Sequence, residues 1–517
     1  MIQPNEAFVA PQIVLATLNA RYIHSAFGLR YLKANLREYQ EQCIIQEYTL
    51  DSRPEDIVES ILLAEPRLVG FGVYIWNVIQ TEKVVALLKT VAPEIVVVLG
   101  GPEVSYEQDG QEIISLADHV ITGWGEVSFY DLVAELANDG VVASAKIIKG
   151  IQPKLDQIEM PYYLYNEEDI KNRVLYVEAS RGCPFKCEFC LSALDKTAWP
   201  FDQDLFLEQM DDLYKRGARH FKFVDRTFNL KVKNSLRIMQ FFLDRMSDDL
   251  FLHFEVVPDH LPDDLKDMIA KFPQGQLQFE VGIQTFNQDV QTKISRRQNN
   301  QKAEQNIRWI RNESKAYLHT DLIFGLPGES LDSFAHSFDQ LVALNPHEIQ
   351  VGILKRLKGS PIIRHTEAHR LSFNPNPPFS IVSSDQVSFS DVQFIGRFAR
   401  YWDLIGNSGR FKQTLPLLLE QSPFKRFSLL TNSLFTRSRQ THKISLLRLF
   451  DFVYDIALSE LNIELETLKS AITSDFNDSG LKSMPKCLKG DRSGTPVQVN
   501  IPKAEKNKKR PIRQSRH

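Results

Sequence analysis

Three cysteines are the residues of this chain best placed to do chemistry. Cys183, Cys187 and Cys190 stand at CxxxCxxC spacing within residues 176–190, YVEASRGCPFKCEFC, directly after an alternating apolar run at 174–179. A strand that ends in a Gly-Cys-Pro loop and runs on toward a helix gathers three thiols around one small volume. Three thiolates from one loop suit a cubane iron–sulfur cluster, which normally takes four cysteine ligands. A set of three leaves one iron open to chemistry. Two other readings stand beside this one. Cysteines are often inert core residues, but three of the chain's five fall within eight positions. Structural zinc usually takes a second Cys or His pair, whereas Cys43 and Cys487 are isolated near opposite ends of the chain.

This stretch resembles the signature of the radical S-adenosylmethionine (SAM) superfamily, and more than the cysteines carries the likeness. Ser180-Arg181-Gly182 and Pro184 frame the first cysteine, and the aromatic Phe189 precedes the third. The resemblance implies a [4Fe–4S] cluster on Cys183, Cys187 and Cys190. SAM would chelate the open iron through its methionine amino and carboxylate groups, with Phe189 beside the adenine.

Composition narrows the setting. A chain of 517 residues is long for one domain, so two or three are expected. Sixty-one basic against sixty-five acidic residues leave a net charge of -4, which gives no electrostatic argument for nucleic-acid binding. Three clustered and two distant cysteines do not form a disulfide framework and fit a reducing, cytoplasmic compartment. The first residues lack a basic n-region, and the apolar runs are too short for a signal peptide or membrane span. Neither a membrane nor a nucleic-acid partner is expected.

The elements that would position a ligand alternate along residues 1–150. Strand patterns at 12–18, 43–48, 68–73, 95–99 and 119–121 are separated by helical patterns at 29–39, 54–65 and 78–91, with a last one at 128–138. Such alternation predicts a Rossmann-like, doubly wound parallel sheet, with ligands at the carboxyl ends of its strands. The loops there hold His24 and Gly28, then Tyr74 and Trp76, then Gly100, Gly101 and Glu103, then Gly123, Trp124, Gly125 and Glu126. Glycines permit close backbone approach, and Tyr and Trp offer flat walls with polar handles. No GxGxxG follows the first strand and no P-loop is present. Read beside the cysteine motif, this domain is similar to the cobalamin-binding domain that precedes the barrel in one radical SAM subfamily. The likeness rests on Gly100-Gly101-Pro102 and residues 123–126. It implies cobalamin near Tyr74, Trp76, Gly100, Gly101, Gly123 and Gly125. The DxHxxG motif of mutase-type domains is not matched: the acid is absent and His24 lies further from Gly28. Cobalamin-dependent radical SAM enzymes often hold cobalamin without that His, and His24 also reads as a loop or cap residue. Trp76 and Trp124 likewise read as interface aromatics.

Residues 151–172 read as a linker, with Pro153 and Pro161 breaking any period. From 173 to 365, strand patterns at 174–179, 220–224, 251–257, 277–283, 317–324 and 348–354 alternate with five helical ones. This predicts a partial, TIM-like (β/α)6 barrel with its chemistry at the strand carboxyl ends. The family resemblance gives those ends roles toward SAM: Asp225 for the methionine amino group, Glu280 and Gln284 for ribose and methionine, and Gly325 and Gly328 for a turn near adenine. Arg296 or Arg297, with Arg297 preferred, would pair with the SAM carboxylate by a bidentate contact. Taken singly, Asp225 and Glu280 read equally as barrel-packing polar residues, and the glycines as a turn.

Residues 366–480 read as a mostly helical domain, after a loop at 372–390 rich in Pro, Asn and Ser. Helical patterns at 391–405, 409–420, 423–436 and 443–461 suit a domain that covers one barrel mouth or packs beside it. It resembles a C-terminal domain of uncharacterised role found in some cobalamin-type radical SAM proteins. Residues 481–517 hold eleven Lys or Arg against Asp491 and Glu505 and read as a disordered basic tail. Such a tail touches a polyanion in some proteins but is more often a solvated terminus.

Together the resemblances imply an enzyme that cleaves SAM reductively and removes a hydrogen from an unreactive carbon. With cobalamin, the reaction class is methylation of an unactivated carbon in a small-molecule substrate, driven by an electron donor such as flavodoxin or ferredoxin. Rearrangement or ring contraction is the neighbouring reading, and a non-catalytic cobalamin- or cluster-binding sensor is a reading of a different class. Methylthiotransferases carry three further N-terminal cysteines, and peptide-maturing members often carry a cysteine-rich C-terminus. Here only Cys43 and Cys487 occupy those regions, so one cluster is expected.

Overall fold

The computed structural model describes residues 12–139 and 145–489. Its first sheet holds β1 (Ile13–Asn19), β2 (Cys43–Thr49), β3 (Leu68–Gly72), β4 (Val96–Gly100), β5 (His119–Thr122) and β6 (Ile147–Lys149). All pairs are parallel, in the order β2-β1-β3-β4-β5-β6. β1 and β3 are buried along nearly their whole length, as strands covered by helices on both faces must be. The helices joining these strands are α1 (Phe27–Ala34), α2 (Pro54–Leu62), α3 (Val78–Val91), α4 (Glu112–Leu116) and α5 (Glu126–Asp139). The winding reverses between β1 and β3, the point where ligands enter such sheets. Five strands fall where periodicity puts them. The sixth does not: β6 is three residues long and partly exposed, too short to carry a pattern.

Residues 151–172, expected to act as a linker, instead pack beneath the second sheet. Leu155, Ile158, Met160, Tyr162 and Tyr165 are buried there, ahead of α6 (Glu167–Asn172), which Asn166 caps. Two tyrosines do the work of a missing strand. Tyr162 Oη accepts from Glu178 N at 3.0 Å and donates to Glu178 O at 2.9 Å. Tyr165 Oη does the same for Tyr176, at 3.1 and 2.8 Å. They satisfy a sheet edge that would otherwise present unpaired groups.

That edge belongs to β7 (Leu175–Val177). With β8 (His220–Phe223), β9 (Phe251–Val256), β10 (Leu277–Gln284), β11 (Tyr317–Phe324) and β12 (Glu348–Ile353) it forms a second parallel sheet, ordered sequentially. The helices around it are α7 (Gln203–Lys215), α8 (Val232–Leu243), α9 (Asp263–Ala270), α10 (Gln288–Lys293), α11 (Asn300–Glu313) and α12 (Leu331–Ala343). β10 and β11 alternate buried and half-buried residues without a break. One face is apolar and packs under helices; the other carries Glu280, His319 and Asp321. A closed barrel fills its interior with apolar layers, whereas this open one keeps a polar inner face.

The C-terminal helices are α13 (Phe389–Ile405), α14 (Thr414–Leu419), α15 (Pro423–Ser438), α16 (Leu446–Ser459) and α17 (Leu465–Asp478). They do not cover the barrel mouth. Phe338 of α12 meets Phe398, Trp402 and Phe424 with ring centroids 5.0, 4.8 and 6.0 Å apart. Each such buried ring contributes roughly 2–3 kcal/mol by burial, which fixes the domain on the outer helical layer. Asn407 pairs with both backbone groups of Ile349 at 2.9 Å and so closes the other sheet edge, β12. The expected loop 372–390 contains a short antiparallel pair, Ser372–Phe373 with Ile381–Ser383. The basic tail lies outside the described residues from 490 onward. Among the described residues no helix is long and apolar enough to cross a membrane.

Candidate functional site

The cysteine loop leaves β7 through a narrow base, where Ser180–Arg181 pairs antiparallel with Trp199–Pro200. Gly182 has φ +93°, and a Cβ there would stand 2.6 Å from Thr197 Oγ1 and 2.8 Å from Ala198 N, so the turn needs glycine. Cys183 N donates to Asp195 O at 2.8 Å and Cys190 N to Cys187 O at 3.2 Å. Between the last two cysteines, Glu188 turns inward and is 2% exposed. Its carboxylate takes Ser295 Oγ, Arg364 and His365 Nε2, and its backbone bonds Ile294 O and Ile362 N. Phe189 packs partly on a small apolar cluster that includes Ile294, Leu326 and Ile362.

Cys183, Cys187 and Cys190 line one cavity of about 250 Å³ with Phe189, Glu280, Gln284 and Arg297. Among the described residues, no three His, Cys, Asp or Glu side chains are spaced for a single metal ion. Three thiols lining one cavity, with no further Cys or His on the same loop, suit a cluster that leaves one iron open better than a structural zinc, which takes a second ligand pair. Burial raises the Cys183 and Cys187 thiols, and at Cys187 the Arg296 guanidinium, 3.7 Å from Sγ, opposes it.

Around the thiols the wall is charged. Arg226 Nη1 donates to both carboxylate oxygens of Glu255, at 2.7 and 2.8 Å. Burial acts to raise Glu280, but His253 Nε2 at 3.0 Å and Lys222 Nζ at 3.6 Å outweigh it and hold the carboxyl well below its usual range. At the end of β10 the register slips between Gly282 and Gln284, and Gln284 takes φ +69°. A Cβ on Gly282 would lie 2.3 Å from Gln284 Nε2, so the bare glycine lets the amide fold back over it. Gln284 Oε1 is buried and finds no hydrogen-bond partner among the described residues. A ligand donor in the cavity would satisfy it, which fits SAM's hydroxyl and amino groups.

Three residues assigned to SAM from sequence lie elsewhere. Asp225 is 2% exposed and accepts from Ala179 N at 3.0 Å and Ser180 Oγ at 2.6 Å. Burial pushes its carboxyl up to about 7 against those bonds; it braces the loop's base and does not line the cysteine cavity. Gly325 packs on Ile381, and Gly328 abuts Lys293 and His369. Both have positive φ and serve a turn outside the cavity. Of the arginine pair, Arg297 and Arg296 both line the cavity, and it is Arg296 that reaches Cys187. Periodicity and strand-end position signalled neither Arg226 and Glu255 as wall residues nor Glu188 as the anchor of the loop, because their orientation depends on contacts from distant segments.

A second cavity, about 310 Å³, opens at the carboxyl end of the first sheet. Tyr74, Gly100, Gly101, Gly123, Gly125 and Trp124 line it. Gly101 has φ +108°, and a Cβ there would sit 2.5 Å from Val73 O. Gly123 has φ +72° with nothing within 4 Å of its Cβ position, so its bare face opens to space. Asn77, fully buried, bonds Leu18 O, Gly72 O and Tyr74 N, which locks the loop that carries Tyr74. These glycine loops and aromatic walls fit a large flat ligand such as cobalamin. Trp76 does not line the cavity: it is 50% exposed and stacks on Tyr74 with centroids 4.5 Å apart. His24 bonds Tyr176 Oη at 2.7 Å and bridges Val174, at the junction of the two sheets and away from the lining residues. On its far side the cavity is closed by Glu178 and Arg181, from the strand end that starts the cysteine loop.

The chain is one with a radical SAM domain. Residues 177–341 match the family model of the radical SAM superfamily. More particularly, it is one with a B12-binding domain ahead of the barrel and a C-terminal domain of unknown function: residues 13–133 match the model of the B12 binding domain, and 367–516 that of a protein of unknown function (DUF4080). An uncharacterised methyltransferase of Pyrococcus horikoshii is 29% identical over 247 residues, covering 42% of this chain and 53% of that protein. The cobalamin-dependent radical SAM methyltransferase TokK of Streptomyces tokunonensis is 24% identical over 334 residues, 56% of this chain and 48% of its own. The chain thus spans about half the length of these curated relatives. Among solved structures, the cobalamin-dependent radical enzyme OxsB with aqua-cobalamin bound aligns with a TM-score of 0.62 at 13% identity, covering 90% of this chain and 79% of that one. The methyltransferase TsrM from Kitasatospora setae, with cobalamin and a [4Fe–4S] cluster bound, aligns at 0.55 and 16% identity over 68% and 74%. At these identities the structural likeness is one of fold.

Proposed function

We propose that this chain is a radical SAM enzyme that holds one [4Fe–4S] cluster on Cys183, Cys187 and Cys190, cleaves SAM reductively, and methylates an unactivated carbon with the help of cobalamin. The observation that carries the reading is a juxtaposition. Glu178 and Arg181 line the glycine-walled cavity, and the lining of the thiol cavity begins two residues further on, at Cys183. Bound in those cavities, the cluster supplies one electron to SAM and cobalamin supplies the methyl group.

The chain's own residues position and shield. Gly182 turns the loop, and Glu188 anchors it, so the three thiols face inward. Glu280, kept ionised by His253 and Lys222, offers acceptor oxygens to a ligand ammonium or hydroxyl. Gln284 Oε1 offers a buried acceptor, Arg297 and Arg296 offer charge-assisted donors to a carboxylate, and Phe189 offers an aromatic edge to a base. In the sheet cavity Gly100, Gly101, Gly123 and Gly125 allow close approach, and Tyr74 and Trp124 wall the ligand from water. The polar inner face of the open barrel suits a small-molecule substrate. A low-potential carrier of the flavodoxin or ferredoxin class would deliver the electron, in a reducing cytoplasm.

Anaerobic reconstitution tests this directly. The protein should take up about four irons per chain and, once reduced, release 5′-deoxyadenosine from SAM. Hydroxocobalamin should comigrate with it on gel filtration. Retention of full SAM cleavage by Cys187→Ala would refute the cluster assignment, and a colourless protein peak would refute the cobalamin one.

A further inference from the structure

Arg181 stands two residues before Cys183 and points away from it, into the wall of the other cavity. Its Nη1 meets Glu126 Oε1 at 2.6 Å and its Nη2 meets Glu178 Oε1 at 2.6 Å. The guanidinium also lies over the Trp124 ring at 4.5 Å and the Tyr31 ring at 4.6 Å. Trp124 belongs to the β5–α5 loop of the first sheet, Glu126 opens α5, and Glu178 lies at the exit of β7. The side chains of all three charged partners are under a fifth exposed, so the pairs are shielded from solvent screening. A planar fork that satisfies two carboxylates while stacking on two rings has one orientation, which lysine cannot reproduce.

From that geometry we propose that Arg181 is a positioning residue that couples the two cavities, so that filling the glycine-walled one orders the cysteine loop and tightens SAM binding there. The causal chain is short. A ligand against Trp124 and Gly125 restrains the loop that leads into Glu126. Glu126 and Trp124 restrain the guanidinium. The Arg181 backbone leads directly into Gly182 and Cys183, whose turn has no slack: a Cβ on Gly182 would already meet Thr197 and Ala198. A loop ordered by the first ligand no longer charges the second for that ordering, which is positive cooperativity without a change of fold. By linkage, SAM must tighten cobalamin binding by the same factor.

The coupling presupposes the two cofactors proposed above, and its test separates the two claims. SAM affinity is measured by equilibrium dialysis on anaerobically reconstituted full-length protein, with the cluster left oxidised so that nothing turns over. The measurement is made with and without saturating hydroxocobalamin. The wild type should bind SAM about fivefold or more tightly when cobalamin is present, within the usual range of such couplings. Arg181→Gln and Arg181→Lys should bring that ratio close to one. Glu126→Gln, which leaves the Glu178 arm and the buried cation in place, should lower it as well and serves should the Arg181 variants misfold. A wild-type ratio of one, or an undiminished ratio in a folded Arg181→Gln or Glu126→Gln protein, overturns the coupling while leaving the cofactor reading intact. Failure of the wild type to bind either ligand overturns both.

Discussion

Glu188 and His365 lie 177 positions apart in the chain and share a 2.7 Å hydrogen bond directly behind the cysteine loop. Glu188 separates two of the three cysteines, so the loop's shape depends on a segment that follows the last barrel strand. A hydrogen bond to a charged group contributes about 1.5–3 kcal/mol. Glu188→Ala, which removes several, should therefore lower the unfolding free energy by about 3 kcal/mol in denaturant titration and reduce the iron retained after reconstitution. His365→Ala should do the same more weakly, since Arg364 and Ser295 remain.

The five cysteines divide into two groups. Cys187→Ala should lose most bound iron and all 5′-deoxyadenosine release. Cys43, fully buried in the first sheet, and Cys487, beside Asp451, should be replaceable by Ala with iron content unchanged. Iron assays on the three variants distinguish these outcomes.

Two glycines of the sheet cavity should respond differently to alanine. At Gly123 only the left-handed backbone opposes a side chain, so Gly123→Ala should cost about 1–2 kcal/mol. At Gly101 the new Cβ would also collide with Val73 O, so Gly101→Ala should cost more and shift the loop. Thermal unfolding gives the order of stability, and hydroxocobalamin titration should show the weaker binding in Gly101→Ala.

Acid and alkaline limbs of the stability curve have separate origins. Glu280 is held below its usual value of 4.5, so its contribution is present above that value and is lost as pH falls through the lower folded one. Glu329 is fully buried against Thr285, and burial pushes it up to about 8. Its contribution is full below 4.5 and is lost as pH rises toward 8, by at most about 5 kcal/mol from the shift alone. Glu329→Gln should thus flatten the decline between pH 5 and 9 in thermal melts, and Glu280→Gln should flatten the decline below pH 4.5.

Much of the fold was legible because periodicity is local. The alternation in residues 277–284 gives β10 its buried and half-buried faces, and the continuous apolar run at 13–18 gives β1 its double burial. Segments whose role is to finish a sheet edge were not legible. Tyr162, Tyr165 and Asn407 act through a hydroxyl or an amide on strands that lie elsewhere in the chain, and no sequence period marks them. The same holds for α13–α15, whose aromatic faces read equally well as a lid or as an outer layer until Phe338 is seen to receive them.

By itself the sequence determined the chemistry in outline: three thiols on one loop, glycine-rich strand ends before them, and an α/β order that brings each to the carboxyl edge of a parallel sheet. Those features depend on residue type and short spacing, which the chain carries along its length. Only the tertiary structure decided which polar residues face the thiols. It turned Asp225 into a brace for Ser180, took Gly325 and Gly328 out of the cavity, and brought Arg296 to Cys187 and Arg181 to Glu126. The reason is physical: a charged side chain is directed by partners that compensate its burial, and those partners come from distant parts of the chain.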